Sequence, residues 1–205
     1  MRRLRFAVMA LTLLCASAVA VSSTPLIKKT YSYFNISGLT GADLERELSK
    51  HGPILSETGI RHPGATKIKL GGSVDYRSSD GRCRVLDAKV TLETHLTLPR
   101  WTDRNRAARE TVLVWDTLSS DIKRHEERHA EIARQYARKL EKTLEALHPA
   151  RTCQLMEARV DATSKRIIEE HAADQQRFDR VEAASFERRM LRMLRFKAAR
   201  QNNGG

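Results

Sequence analysis

Apolar and polar residues alternate strictly from Asp87 to Leu98. Ala88, Val90, Leu92, Thr94, Leu96 and Leu98 fall on one face, and Asp87, Lys89, Thr91, Glu93, His95 and Thr97 on the other. A period of two predicts a long antiparallel strand with one solvated side, and Pro99-Arg100-Trp101 predicts its end. Weaker strand signals precede it. Thr30 to Ile36 is rich in strand formers and stops at Ser37-Gly38. Thr66 to Leu70 alternates, as do Val74 and Tyr76, and Ser79-Asp80-Gly81 marks a tight turn. Between these strands Thr40 is placed to cap a helix over residues 42–50. Leu44 and Leu48 lie four apart in it, and Gly52-Pro53 is its stop.

Beyond residue 101 the period changes to that of a helix. Thr102 or Asp103 can cap a helix running through Trp115. A second helical pattern covers about 119–147 and is broken at His148-Pro149, and a third covers about 153–199. The expected fold class is α+β: a small antiparallel sheet with a short helix, followed by a long helical hairpin.

The N-terminus carries a different signal. Arg2, Arg3 and Arg5 precede an apolar run from Phe6 to Leu14, and Ala16-Ser17-Ala18 and Ala18-Val19-Ala20 both offer a cleavage pattern. These features predict a secretory signal over residues 1–20, hence a periplasmic or secreted protein in a bacterium. Residues 21–29 read as a linker. The formal charge is +12, from 37 Lys+Arg against 25 Asp+Glu in 205 residues. Such a charge suggests an acidic partner, but export argues against nucleic acid. Cleavage after residue 20 would remove Cys15 and leave Cys83 and Cys153. Two cysteines in an oxidising compartment predict one disulfide.

Residues 125 to 129 read His-Glu-Glu-Arg-His. On a helix, His125 and His129 project from one face and can hold one Zn²⁺, and Glu126 is placed as a general base. Ile122, Ile132, Ala133, Tyr136, Leu140, Leu144 and Leu147 form the apolar stripe of this helix. The two histidines fall on that stripe, and inward-facing imidazoles need partners. A third ligand is required. An antiparallel hairpin centred near residue 150 sets position 129 opposite 171, so His171 is the first candidate, with Glu182 and Asp174 as alternatives. The chemistry implied is peptide hydrolysis with Glu126 as base, acting on a peptide or protein substrate. The strand from Asp87 to Leu98 is a candidate edge for such a substrate to join. Tyr136 and His148 are the residues of suitable type to stabilise an oxyanion.

These features together resemble the bacterial predicted secreted zinc-dependent proteases, long catalogued as a domain of unknown function. The matching residues are Tyr31, Tyr33, Gly38, Gly52-Pro53, Cys83, Leu98-Pro99-Arg100-Trp101, Trp115, His125, Glu126, His129, Cys153 and Phe178-Asp179. The resemblance implies a zincin-like metallopeptidase domain over residues 30–185. That family's late segment reads Tyr-Asp, then Thr, then His-Gly. Here Phe178-Asp179 is followed by no histidine as far as Ser185, which leaves His171 or Glu182 to complete the ligands. Residues 186–205 form a basic tail, with Arg188, Arg189, Arg192, Arg195, Lys197 and Arg200 interleaved with Phe186, Met190, Leu191, Met193, Leu194 and Phe196. An amphipathic helix of this kind suits peripheral contact with an anionic membrane. The alternative to an enzyme is a non-catalytic periplasmic protein that uses the helical hairpin as a binding or structural module.

Overall fold

The computed structural model describes residues 24–54 and 59–202. The expected signal peptide lies outside the described residues. Three strands and three helices follow in order: β1 (Leu26–Ile36), α1 (Gly41–His51), β2 (Ala65–Ser79), β3 (Arg82–Trp101), α2 (Arg109–Glu145) and α3 (Cys153–Asn202), with a 3₁₀ turn at Arg104–Arg106. The fold class is α+β.

Strand order is β1-β3-β2. Two details of the expected sheet change. The sheet is mixed, because β1 runs parallel to β3 while β2 runs antiparallel to it. Strand β3 is also the centre of the sheet and offers no edge. The cause is the connection through α1. Strand β1 ends opposite Trp101 and β2 begins opposite Thr97, so the chain passes around one end of the sheet and leaves a gap that β3 fills. The hairpin joining β2 to β3 turns at Asp80-Gly81, both with positive φ (54° and 69°), which matches the right-handed twist of the flanking strands. Pro99 lies inside β3, past the point where β2 begins. The strand is paired there on its β1 side alone, so the missing N–H leaves no gap in a two-sided ladder.

Thr40 caps α1 reciprocally. Its hydroxyl accepts from the Asp43 N–H at 3.2 Å, and the Asp43 carboxylate accepts from the Thr40 N–H at 3.0 Å. Gly52 ends that helix, where a Cβ would stand 2.2 Å from the His62 carbonyl oxygen. The two helices expected over 102–115 and 119–147 are one helix, α2. No glycine or proline interrupts residues 109–145, and the Thr117 hydroxyl is satisfied within the helix by the Leu113 carbonyl at 2.8 Å.

The inner face of β3 (Ala88, Val90, Leu92) packs with Ala133, Ala137, Leu140 and Leu144 of α2 and with Met156, Val160 and Ile167 of α3. A second cluster of Ile36, Leu44, Trp101 and Trp115 joins α1 and the start of α2 to the far end of the sheet. At the other end Cys83 and Cys153 form the expected disulfide, and Cys83 and Ala150 exchange backbone hydrogen bonds of 2.8 Å. Buried Glu141 accepts the Val90 N–H at 3.0 Å, one residue before β1 begins its pairing at Thr91.

The disulfide closes a separation of 70 residues. Replacing both cysteines by alanine should lower the unfolding free energy by about 4 kcal/mol, from the loop entropy restored to the unfolded chain. Urea denaturation of the double variant measures this, and an unchanged midpoint would refute it.

Candidate functional site

The site forms where α2 lies between the sheet and α3. His125 and His129 point toward α3, while buried Glu126 points toward the start of β2. The Nε2 atoms of the two histidines stand 3.0 Å apart. Asp179 Oδ1 lies 3.3 Å from His125 Nε2 and 2.9 Å from His129 Nε2. Among the described residues these three form a group able to hold a metal ion.

His129 is oriented from its other nitrogen, and His125 by ring packing. His129 Nδ1 lies 2.6 Å from Gln175 Oε1, and the Gln175 amide nitrogen donates to the His129 carbonyl at 3.1 Å. An amide oxygen accepts only, so His129 donates from Nδ1 to Gln175 and turns Nε2 toward Asp179. His125 Nδ1 faces Glu182 at 3.9 Å. Phe178 stacks on His125 and meets His129 edge-on. Burial, then the adjacent His129, holds the His125 pKa below its ordinary value.

Glu126 is set by the sheet. Thr66 donates to its carboxylate at 2.8 Å and to its backbone carbonyl at 3.0 Å. Gly64 packs so closely that a Cβ would lie 2.8 Å from Ile122 and 3.0 Å from Glu126 Oε1. Burial raises the Glu126 pKa, against the opposing hydrogen bond from Thr66. On the opposite flank Lys29 and Tyr31 both donate to Glu127, which ties α2 to β1.

The other expected ligands lie elsewhere. His171 is 2.8 Å from the Gln175 amide nitrogen, with its ring against Tyr136, so Gln175 stands between it and His129. Asp174 accepts from the Tyr136 hydroxyl at 2.7 Å and from Arg177 at 2.9 Å. Burial and that hydrogen bond push the Tyr136 pKa up to about 12. Glu182 binds Arg124 and Arg189. His148 lies beyond the C-terminal end of α2. The hairpin register is a turn later than equal spacing about residue 150 predicts, because the link between the helices pairs with Cys83 instead of folding symmetrically. Asp179, Gln175 and Thr66 were outside the expected site. The Phe178-Asp179 pair and the four-residue spacing of Gln175 and Asp179 are the signals that point to two of them.

Helix α3 passes residue 185 without a break. Just beyond, Arg189 donates to Asp121 at 2.9 and 3.0 Å, and Arg124 donates to Asp121 at 3.0 Å. Burial alone would raise the Asp121 pKa, but these guanidinium hydrogen bonds outweigh it and hold the carboxyl below its ordinary value. Stability from a depressed carboxyl is present above its unfolded pKa and lost as pH falls through the folded one. Asp121→Asn should therefore cost about 3 kcal/mol near pH 7. The gap from wild type should shrink below about pH 4 as the wild-type carboxylate takes up its proton. Urea unfolding at a series of pH values checks both points.

No curated protein and no solved structure matches the chain. A family model does, over residues 31–186, a span that holds the sheet, the histidine helix and Asp179. The chain belongs to the family described as bacterial protein of unknown function (DUF922).

Proposed function

We propose that this protein is an exported zinc-dependent peptidase, with His125, His129 and Asp179 as the metal ligands and Glu126 as the general base. The observation that carries this reading is the convergence of two imidazole Nε2 atoms and a carboxylate oxygen within 3.3 Å of one another. Two imidazole nitrogens and a carboxylate oxygen so close together make a ready donor set for one cation. The donor set suits zinc, which takes nitrogen and oxygen ligands and leaves a fourth position open in catalytic sites. Gln175 behind His129 fits as well, since metal-bound histidines are oriented by a hydrogen bond from the other ring nitrogen. Asp179 takes the place expected for His171 because Gln175 fills the position next to His129.

Bound zinc would supply Lewis acidity toward a peptide carbonyl and toward water. Glu126 would receive the proton of the attacking water and deliver it to the leaving amine. Thr66 would fix the direction of that carboxylate, and burial would raise its proton affinity for the task. Among the described strands the free edge nearest Glu126 belongs to β2. The Val90 N–H turns to Glu141, on the side away from β2. Val90 and its partner Gly72 therefore face apart, and the same alternation directs the backbone groups of Thr66, Ile68 and Leu70 to the open edge. An extended substrate can add there as a fourth strand. The disulfide suits an oxidising compartment, and no helix among the described residues is long and apolar enough to cross a membrane.

Elemental analysis of the purified chain supplied with zinc should find about one zinc per chain, lost when His125 and His129 are both alanine. Asp179→Ala should weaken binding strongly while His171→Ala does not. Gln175→Leu should weaken it by about 10–100-fold by freeing the His129 ring. Glu126→Gln should keep the metal and abolish hydrolysis of an unfolded protein substrate. Absence of zinc from the wild type, near neutral pH, would overturn the proposal and leave a hairpin whose histidines are simply packed.

A further inference from the structure

Helix α3 extends past the matched segment, and its last turns have two unlike faces. The inner face is held to α2. Arg189 pairs with Asp121, Lys197 donates to the Asp116 carbonyl at 3.0 Å, and Met190, Met193 and Leu194 are half-buried. The outer face presents Arg188, Leu191, Arg192, Arg195, Phe196 and Arg200, all exposed. Leu191 keeps 47% and Phe196 62% of its surface in water. Arg188, Leu191, Arg192 and Arg195 line a shallow groove of about 340 Å³. Glu187 is the one acidic residue between positions 186 and 200.

We propose that this outer face docks on the surface of an anionic phospholipid bilayer. Four exposed arginines without a matching number of carboxylates make a surface complementary to anionic headgroups, each worth roughly fivefold in affinity near such a surface. Arginines alone would suit any polyanion. Leu191 and Phe196 distinguish the bilayer, because their exposure is unfavourable in water and is relieved at the boundary between headgroups and acyl chains, where arginine stems also lie. The two apolar residues are five apart, about 140° round the helix. They flank the arginine ridge instead of forming a stripe of their own, so the contact is shallow and chiefly electrostatic. Asp179 lies twelve residues back along α3, about 18 Å by helix rise. The docked protein would thus hold the histidine site close to the membrane. The proposal stands on the outer face alone and does not depend on zinc or on catalysis.

The test is co-sedimentation of the chain beginning at residue 21, which contains the whole described fold, with phosphatidylglycerol/phosphatidylcholine vesicles and with phosphatidylcholine vesicles. Binding is expected to the first and not the second, and is expected to fall steeply between 0.1 and 0.5 M salt. Reversing three charges (R188E/R192E/R195E) should reduce it by about a hundredfold or more. L191S/F196S should reduce vesicle binding several-fold while leaving retention on heparin unchanged. These residues are exposed, so circular dichroism and thermal midpoints should match wild type. Failure to bind anionic vesicles would overturn the proposal. So would full vesicle binding by L191S/F196S, which would make the face a site for soluble polyanions.

Discussion

One helix must satisfy two partners at once, and the architecture follows from that demand. Along α2, Ala130, Ala133, Ala137, Leu140 and Leu144 are buried, and the sheet lies against much of this surface. A second strip about a quarter-turn away meets α3 with Asp121, His125, His129 and Tyr136. Glu126 falls on the sheet-facing strip, about 100° round from His125. A residue there can be buried against β2 and still adjoin the histidines. A shorter helix, or one broken at Thr117, would separate the tryptophan cluster that fixes its start from the core that fixes its end. Continuity of α2 therefore makes the position of the histidines a property of the whole domain.

The polar groups around the site are arranged so that few are left without a partner. Gln175 satisfies His129 twice, through its ring and its carbonyl. Asp121 and Glu182 share Arg124 and Arg189, so two acids and two bases neutralise one another in a partly buried space. The Nε2 atoms and Asp179 form a separate group that faces inward on itself between α2 and α3.

Much of the fold was legible in residues with a local meaning. Strict alternation marked β3, Asp80-Gly81 marked the hairpin, Thr40 and Asp43 marked the start of α1, and the pair Cys83 and Cys153 marked the crosslink. The rest depended on relations between distant segments. Nothing in the composition of β1 says whether it runs parallel or antiparallel to β3, because direction comes from the path of the α1 connection. Thr117, Ser119 and Ser120 look like an interruption of α2 until the Thr117 hydroxyl is seen returning to its own helix. Within the site, the His-Glu-Glu-Arg-His spacing fixed three side chains locally. That Gln175 and Asp179, not His171, stand beside His129 reflects a register shift of about one helical turn, which counting from the turn does not give.

The parallel pairing of β1 with β3 also governs the order in which the chain can acquire its shape. Thr30 meets His95, a separation of 65 residues, and the last contact of β1 is with Trp101. As the polypeptide emerges from a ribosome or a translocation channel, β1 has no strand to join until nearly all of β3 has followed. Only the β2–β3 hairpin can form from neighbouring residues. The crosslink at Cys83 waits longer still, for Cys153. A domain wired in this way remains open through most of its synthesis and closes late, as one cooperative event.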